Sequence, residues 1–95
     1  MRTRITKERI DKIVDATEFN ITTVFDKCTV VVAKLPNGFI ITESSACIDE
    51  KNYDRNLGYE ICREKIIGKI WELEGYRLQQ KIYKKTKKKE RKIND

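Results

Sequence analysis

The chain has 95 residues and a net charge of +6, with 39% hydrophobic and 38% charged residues. This length predicts one domain with a thin core, and no segment approaches the roughly 20 apolar residues of a membrane-spanning helix. The absence of His removes the usual partner of a Ser or Cys nucleophile and a usual zinc ligand. We therefore expect a protein of the cytosol that is not an enzyme and that binds no metal and no cofactor.

The positive charge is concentrated at the C-terminus, where residues 84–95 have a balance of +5. We predict one α+β domain over residues 1–83, followed by a lysine-rich extension over residues 84–95 that is helical or disordered. The extension is the clearest candidate for electrostatic contact with nucleic acid, because lysine and arginine neutralise phosphates. Its basic residues are Lys84, Lys85, Lys87, Lys88, Lys89, Arg91 and Lys92.

The first predicted element is a helix from Lys7 to about Glu18. The hydroxyl of Thr6 is placed to cap it, and Ile10 and Val14 fall on one face. Residues 19–27 are interpreted as an apolar connector that packs on the domain.

A β-hairpin follows. Cys28–Leu35 is rich in β-branched residues, which suit a strand. Pro36, Asn37 and Gly38 form a strong turn signal, with glycine available for a left-handed conformation. Phe39–Ala46 is then the returning strand, and we expect the three turn residues to be structural.

The last predicted element is a long amphipathic helix, which begins near a cap at Asn56 and runs to about Lys84. We expect Trp71 to close the core and Gly75 to mark a bend or an end, because glycine costs about 1 kcal/mol inside a helix. Its apolar stripe, spaced by three and four residues, is Tyr59, Cys62, Ile66, Ile70 and Leu73.

The predicted fold is therefore an N-terminal helix, a β-hairpin and a long C-terminal helix packed on the hairpin. Such a small core leaves the strand edges unpaired. Pairing of those edges, or of the long helices, between two copies would relieve this, so we expect a homodimer.

The thiols and the acidic loop carry no clear chemistry. Cys28, Cys47 and Cys62 have no C-x-x-C spacing, so we interpret them as free structural cysteines. The loop before the long helix contains acidic residues, but they lack the spacing and the central glycine of a calcium loop. These residues are Asp49, Glu50 and Asp54.

Several sequence blocks between residues 28 and 82 resemble a family of small tailed-phage proteins known as phage gene-product 49 / gene 66. The blocks are Asn37-Gly38-Phe39, Ser45-Ala46-Cys47, Asn52-Tyr53-Asp54, Gly58 and Ile70-Trp71-Glu72-Leu73-Glu74-Gly75-Tyr76. The resemblance implies a phage or prophage accessory protein and supplies no catalytic residues. The lysine-rich tail and the N-terminal helix are not typical of the family.

Two functional hypotheses follow. The first is a phage accessory protein in the host cytosol that binds and inhibits a host protein or ribonucleoprotein, with a host-defence complex of the CRISPR–Cas type as one possible target. Candidate contact residues are Glu43 and Ser44 at the end of the second strand, and Tyr76 and Arg77 on the long helix. The alternative is a nucleic-acid-binding accessory or regulatory protein that acts through its basic tail.

Overall fold

The fold is α+β, with two helices packed on one face of a three-stranded antiparallel sheet. The computed structural model describes the backbone of residues 4–94 and the side chains of residues 4–88. The strand order is β1-β2-β3. The elements are α1 Lys7–Asp15, β1 Glu18–Val24, β2 Cys28–Lys34, β3 Ile40–Ala46, a short 3-10 turn at Glu50–Asn52, and α2 Arg55–Asn94.

Helix α1 begins as predicted and ends earlier than predicted. The Thr6 hydroxyl accepts a hydrogen bond from the backbone N–H of Arg9 at 3.3 Å, which satisfies one free amide of the first turn. The predicted end at Glu18 is wrong, because Glu18 is already the first residue of β1.

The segment interpreted as a connector contains a third strand, which is a correction to the two-stranded prediction. Every residue of β1 is paired with β2, from Glu18 opposite Lys34 to Val24 opposite Cys28. The tight turn between these strands places Phe25 and Asp26 at φ of 54° and 56°. Two consecutive positive φ values are typical of a type I′ turn, whose twist matches that of the flanking strands.

The predicted β2–β3 hairpin is confirmed. The backbone N–H of Gly38 donates to the Leu35 carbonyl at 2.8 Å, and Asn37 Oδ1 accepts from the N–H of Phe39 at 3.0 Å. Gly38 has φ of +92°, a conformation that side chains with a Cβ rarely adopt. The turn therefore uses glycine as the sequence predicted.

The core lies between the sheet and the two helices. Helix α2 packs across β2 and β3, and α1 packs beside α2. Tyr59 of α2 meets Phe19 of β1 edge to face, with ring centroids 6.0 Å apart. The buried apolar residues are Ile10, Val14, Val31, Ala33, Leu35, Ile41, Cys62, Ile66 and Ile70.

Tyr53 anchors the loop before α2 to the sheet. Its hydroxyl lies 2.8 Å from the hydroxyl of Thr23 and 2.8 Å from that of Thr29. Thr29 is fully buried, and a Cβ on Gly58 would lie 2.3 Å from its Oγ1. The absence of a side chain at Gly58 thus allows α2 to approach this threonine.

The cap of helix α2 lies two residues before the predicted one, and the helix runs further than predicted. Asp54, rather than Asn56, caps it: Asp54 Oδ1 accepts from the N–H of Asn56 at 3.0 Å and of Leu57 at 3.1 Å. The helix continues through Gly75 to Asn94, past the predicted end near Lys84, so of the two alternatives at Gly75, a bend or an end, the end is wrong. At about 1.5 Å per residue, its 40 residues extend for about 60 Å.

Trp71 lies outside the core, contrary to the expectation that it closes the core. Its side chain is 38% exposed on the side of α2 that faces away from the sheet, whereas neighbouring Ile70 is 1% exposed.

Among the described residues, no helix is long and apolar enough to cross a membrane.

Candidate interaction surfaces

In the part of the chain that the structure describes, one face of the sheet has no helix packed over it. Because side chains alternate along a strand, buried Val31 and Ala33 place Val30 and Val32 on the opposite face. The pairing register places polar side chains of β1 and β3 beside these valines. The two central rows are Thr22–Val30–Ser44 and Asn20–Val32–Thr42. We call this surface the open face.

The open face carries little charge. Its charged strand residues are Glu18 and Lys34, which are opposite each other in the register at one end. The other end is the row Val24–Cys28–Ala46. Apolar and hydroxyl side chains with few charges are typical of surfaces that are covered by another molecule.

A second surface is a basic groove where α1 approaches α2. The groove has a volume of about 420 Å³. Its apolar floor includes Ile5 and Leu78. Its basic lining residues are Arg4, Arg9, Arg77, Lys81 and Lys85. The sequence prediction missed this groove, because it depends on how the N-terminal segment lies against α2.

Glu74 connects the two helices at the edge of this groove. Its carboxylate accepts hydrogen bonds from Arg9 of α1 and from Arg77 of α2, the latter at 3.2 and 3.3 Å. Burial alone would raise the pKa of Glu74, but the hydrogen bonds and charges of the two arginines outweigh it and hold the pKa below 4.5. Glu74 is therefore the carboxylate that fixes α1 on α2.

The four residues predicted to form a protein-binding surface do not lie together. Glu43 is on the helix side of the sheet and pairs with Lys69 of α2, with only 15% of its side chain exposed. Ser44 follows it in β3 and lies on the open face. Arg77 is bound to Glu74, and Tyr76 is 72% exposed on α2.

The basic tail continues α2 rather than forming a separate element. Lys84, Lys85, Lys87 and Lys88 are exposed on the helix. The side chains of Lys89, Arg91 and Lys92 lie outside the described residues. Together with the groove, the described lysines make the C-terminal half of α2 strongly basic.

The three cysteines are free, and Cys62 is buried. Burial raises the pKa of the Cys62 thiol above its ordinary value of 9.0, although nearby Lys65 opposes this shift. Cys62 Sγ lies 3.8 Å from the carbonyl oxygen of Thr29 in β2. A buried thiol of this kind is unreactive and packs as a small apolar group.

The acidic loop residues cap local structure. Asp49 Oδ1 accepts from the N–H of Lys51 at 3.0 Å, and Asp54 caps α2. Within the described part of the chain, no group of His, Cys, Asp and Glu side chains could hold a metal ion.

These features define a small α+β domain with helices on one side of its sheet, an open face on the other and a long basic helix. The family described as "Phage protein (N4 Gp49/phage Sf6 gene 66) family" matches residues 5–82, and the chain belongs to it. The predicted resemblance is therefore confirmed, and the match also includes the N-terminal helix. A search of curated proteins and a search of solved structures each gave no match.

Proposed function

We propose that this phage protein is a non-enzymatic accessory protein that binds a host macromolecule through its open face and so inhibits it. The observation that carries this proposal is the uncovered, nearly uncharged centre of the sheet around Val30 and Val32. The proposed place of action is the host cytosol. A host-defence complex of the CRISPR–Cas type is one class of target that the proposal includes.

Burial of the open face by a partner is physically favourable. Apolar surface gains about 25 cal/mol for each Å² removed from water, and the two valines are already half-buried by their neighbours. The surrounding Thr, Ser and Asn side chains can hydrogen-bond a partner without the desolvation cost of a charge. The rigid sheet also presents these groups without ordering a loop.

The test is an affinity capture from lysate of the phage host, with and without nuclease, that compares two variants. Thr42→Lys places a charge at the exposed edge of the open face, whereas Glu8→Lys makes a charge change on the outer side of α1. We expect a defined host component to bind the wild type and Glu8→Lys, and to be lost with Thr42→Lys. Equal capture by both variants would exclude the open face as the binding surface.

A second candidate function, nucleic-acid binding, is supported by the basic groove. Its three basic residues on α2, Arg77, Lys81 and Lys85, continue into Lys84, Lys87 and Lys88 along the same helix, so a phosphate backbone could follow this surface. Fluorescence anisotropy with labelled duplex DNA at two salt concentrations would test it. Lys81→Ala combined with Lys85→Ala should then weaken binding at low salt and lower its salt dependence, whereas Lys51→Ala in the distant acidic loop should not.

A further inference from the structure

Helix α2 carries a second apolar stripe on the side away from the sheet. Gly68 follows buried Ile66 by two residues, which rotates it by about 200° around the helix. Around it, Leu57 is 59% exposed, and Ile61 and Trp71 are each 38% exposed. The stripe steps alternately by four and three residues, as in a coiled coil. It consists of Leu57, Ile61, Glu64, Gly68, Trp71, Gly75, Leu78 and Ile82, of which the last three are half-buried in the single chain and Leu78 also lines the basic groove.

Nothing in the described chain covers the centre of this stripe. A Cβ added to Gly68 or to Gly75 would have no heavy atom within 4 Å. These two glycines flank Trp71 on the same side of the helix, three residues before it and four after it. Trp71, which is 38% exposed, therefore stands between two positions with open space, which we call notches.

We propose that this stripe binds the same stripe of a second copy of the chain, with the two α2 helices antiparallel. When two copies of the stripe run in opposite directions, large side chains at the centre of one copy face small residues of the other. In the register in which facing residue numbers add to about 139, Trp71 of each copy enters the notch at Gly68 of the other. The remaining facing pairs are Leu57 with Ile82, Ile61 with Leu78 and Glu64 with Gly75.

The sizes of the side chains favour antiparallel pairing over parallel pairing. A parallel pair would place Trp71 against Trp71 and each glycine against itself, which would crowd one layer and leave voids in two others. In the antiparallel register, the large indole lies opposite glycine, and the aliphatic residues meet at both ends. Eight successive layers cover more than three heptads, a length that is sufficient for a coiled-coil contact.

The charges beside the stripe are complementary in the same register. Lys65 of one copy lies beside Glu72 of the other, and Glu60 lies beside Lys81. Each pair occurs twice because of the twofold symmetry. These four residues are exposed, and none of them has an ion-pair partner among the described salt bridges, although the Lys65 ammonium donates a hydrogen bond to the Ser44 carbonyl at 3.2 Å.

The antiparallel pairing also places the basic extension of α2 beside the other copy. Beyond Ile82, each helix continues past the start of the other copy's α2, with Lys85 in register with Asp54. The acidic loop with Asp49 and Glu50 precedes that helix start. The lysine-rich end of one copy would therefore lie beside the acidic loop of the other, which favours this pairing electrostatically.

The first test measures self-association of the full chain by analytical ultracentrifugation, over about 1 to 100 μM. We expect a wild-type dimer and a dissociation constant at least 100-fold weaker for Ile61→Lys. Tyr83→Lys is the matched control, because it removes an exposed apolar side chain from α2 outside the stripe. A monomeric wild type over the whole range, or a dimer that is unaffected by Ile61→Lys, would overturn the proposal.

Gly68→Leu keeps this test valid if the lysine variant folds poorly. The monomer has open space at this position, so helix content by circular dichroism should be kept or increased. Self-association should nevertheless be lost, because the leucine fills the notch for Trp71. A Gly68→Leu variant that dimerises like the wild type would show that the notch is not used.

The register is tested by charge reversal. Lys65→Glu alone and Glu72→Lys alone should each weaken the dimer about tenfold, since each places like charges together at two sites. The double variant should return to within about threefold of the wild type. Failure of the double variant to recover would exclude the antiparallel register proposed here.

Discussion

At the scale of single residues, the tightest constraint lies where Gly58 of α2 crosses Thr29 of β2. Thr29 is a fully buried polar residue, and its hydroxyl lies 2.8 Å from that of Tyr53. The same crossing places a would-be Cβ of Gly58 2.8 Å from the Thr29 Cβ, a distance that no real pair of carbons tolerates. The absence of a side chain at Gly58 therefore permits both the packing of α2 on β2 and the hydrogen bond between Thr29 and Tyr53.

Gly58→Ala should destabilise the domain by about 2 kcal/mol, because the added methyl group must displace β2 or α2. Gly75→Ala is the matched control, since its Cβ would meet no atom and alanine favours the helix by up to about 1 kcal/mol. Urea unfolding followed by circular dichroism measures both free energies. Equal effects of the two substitutions would contradict the close approach at Thr29.

Glu74→Gln should lower stability at neutral pH by about 1 kcal/mol, because the arginines of both helices lose a charged acceptor. Folding lowers the pKa of Glu74, so its contribution is present above the unfolded pKa and is lost as pH falls through the folded pKa. The difference between wild type and variant should therefore shrink between pH 5 and pH 2.

Unfolding free energies at several pH values in this window measure that difference. Asp11→Asn serves as the control, because Asp11 pairs with Lys7 on an exposed surface of α1. Its effect should stay within about 0.5 kcal/mol. A constant difference between wild type and Glu74→Gln from neutral to acid pH would contradict the role of the carboxylate.

At the scale of secondary-structure elements, β1 and its turn were not predicted, because no turn signal in the sequence marks them. Hairpin turns with two consecutive positive φ values usually contain Asn-Gly, whereas the turn in the three-residue loop between Val24 and Cys28 uses Phe25-Asp26. Such residues adopt the left-handed region at a cost of about 1 kcal/mol or more each. The pairing with β2 along all seven residues of β1 offsets that cost.

Replacement of Phe25-Asp26 by Asn-Gly should raise the unfolding free energy by about 1 kcal/mol, because both new residues accept positive φ. The same dipeptide at Thr22-Thr23, in the interior of β1, should lower it instead. Thermal unfolding of the two variants provides the measurement. A destabilised turn variant would indicate that the exposed Phe25 ring stabilises the fold in another way.

The elements that sequence patterns predicted well are those with local signals. The Thr6 cap, the Leu35–Phe39 turn and the stripe of α2 through Ile70 depend on neighbours within a few residues. The position of Trp71 could not be predicted in this way. Its spacing from the apolar stripe is compatible with a place at the edge of the core and with a place on the outer side of α2. The basic groove joins residues more than 60 positions apart, and no local pattern records that contact.

At the scale of the whole molecule, the fold is 68 Å long but only about 20 Å in its other dimensions. The buried core residues end at Ile70, so the last half of α2 extends beyond the core as a basic rod. Charge and core are thus separated along the molecule. Within the described side chains of the extension, residues 84–88, none belongs to the buried core.

Deletion of residues 84–95 should leave the thermal unfolding of the core nearly unchanged. If a host macromolecule docks on the open face, deletion should mainly slow its association, because exposed charges steer encounter more than they hold a complex. If the tail binds phosphates, affinity should fall by about 100-fold or more at low salt. Dissociation constants with and without the tail, at two salt concentrations, separate these outcomes.

The alternation of core side chains and open-face side chains along β2 and β3 affects how this protein can evolve. Residues that hold the fold, such as Val31 and Ile41, alternate along the strands with open-face residues such as Val30 and Thr42. Substitution of the second set leaves the core intact, so recognition can diverge while the scaffold persists. If the open face binds a host target as proposed, the protein can follow changes in that target by altering every second residue of β2 and β3.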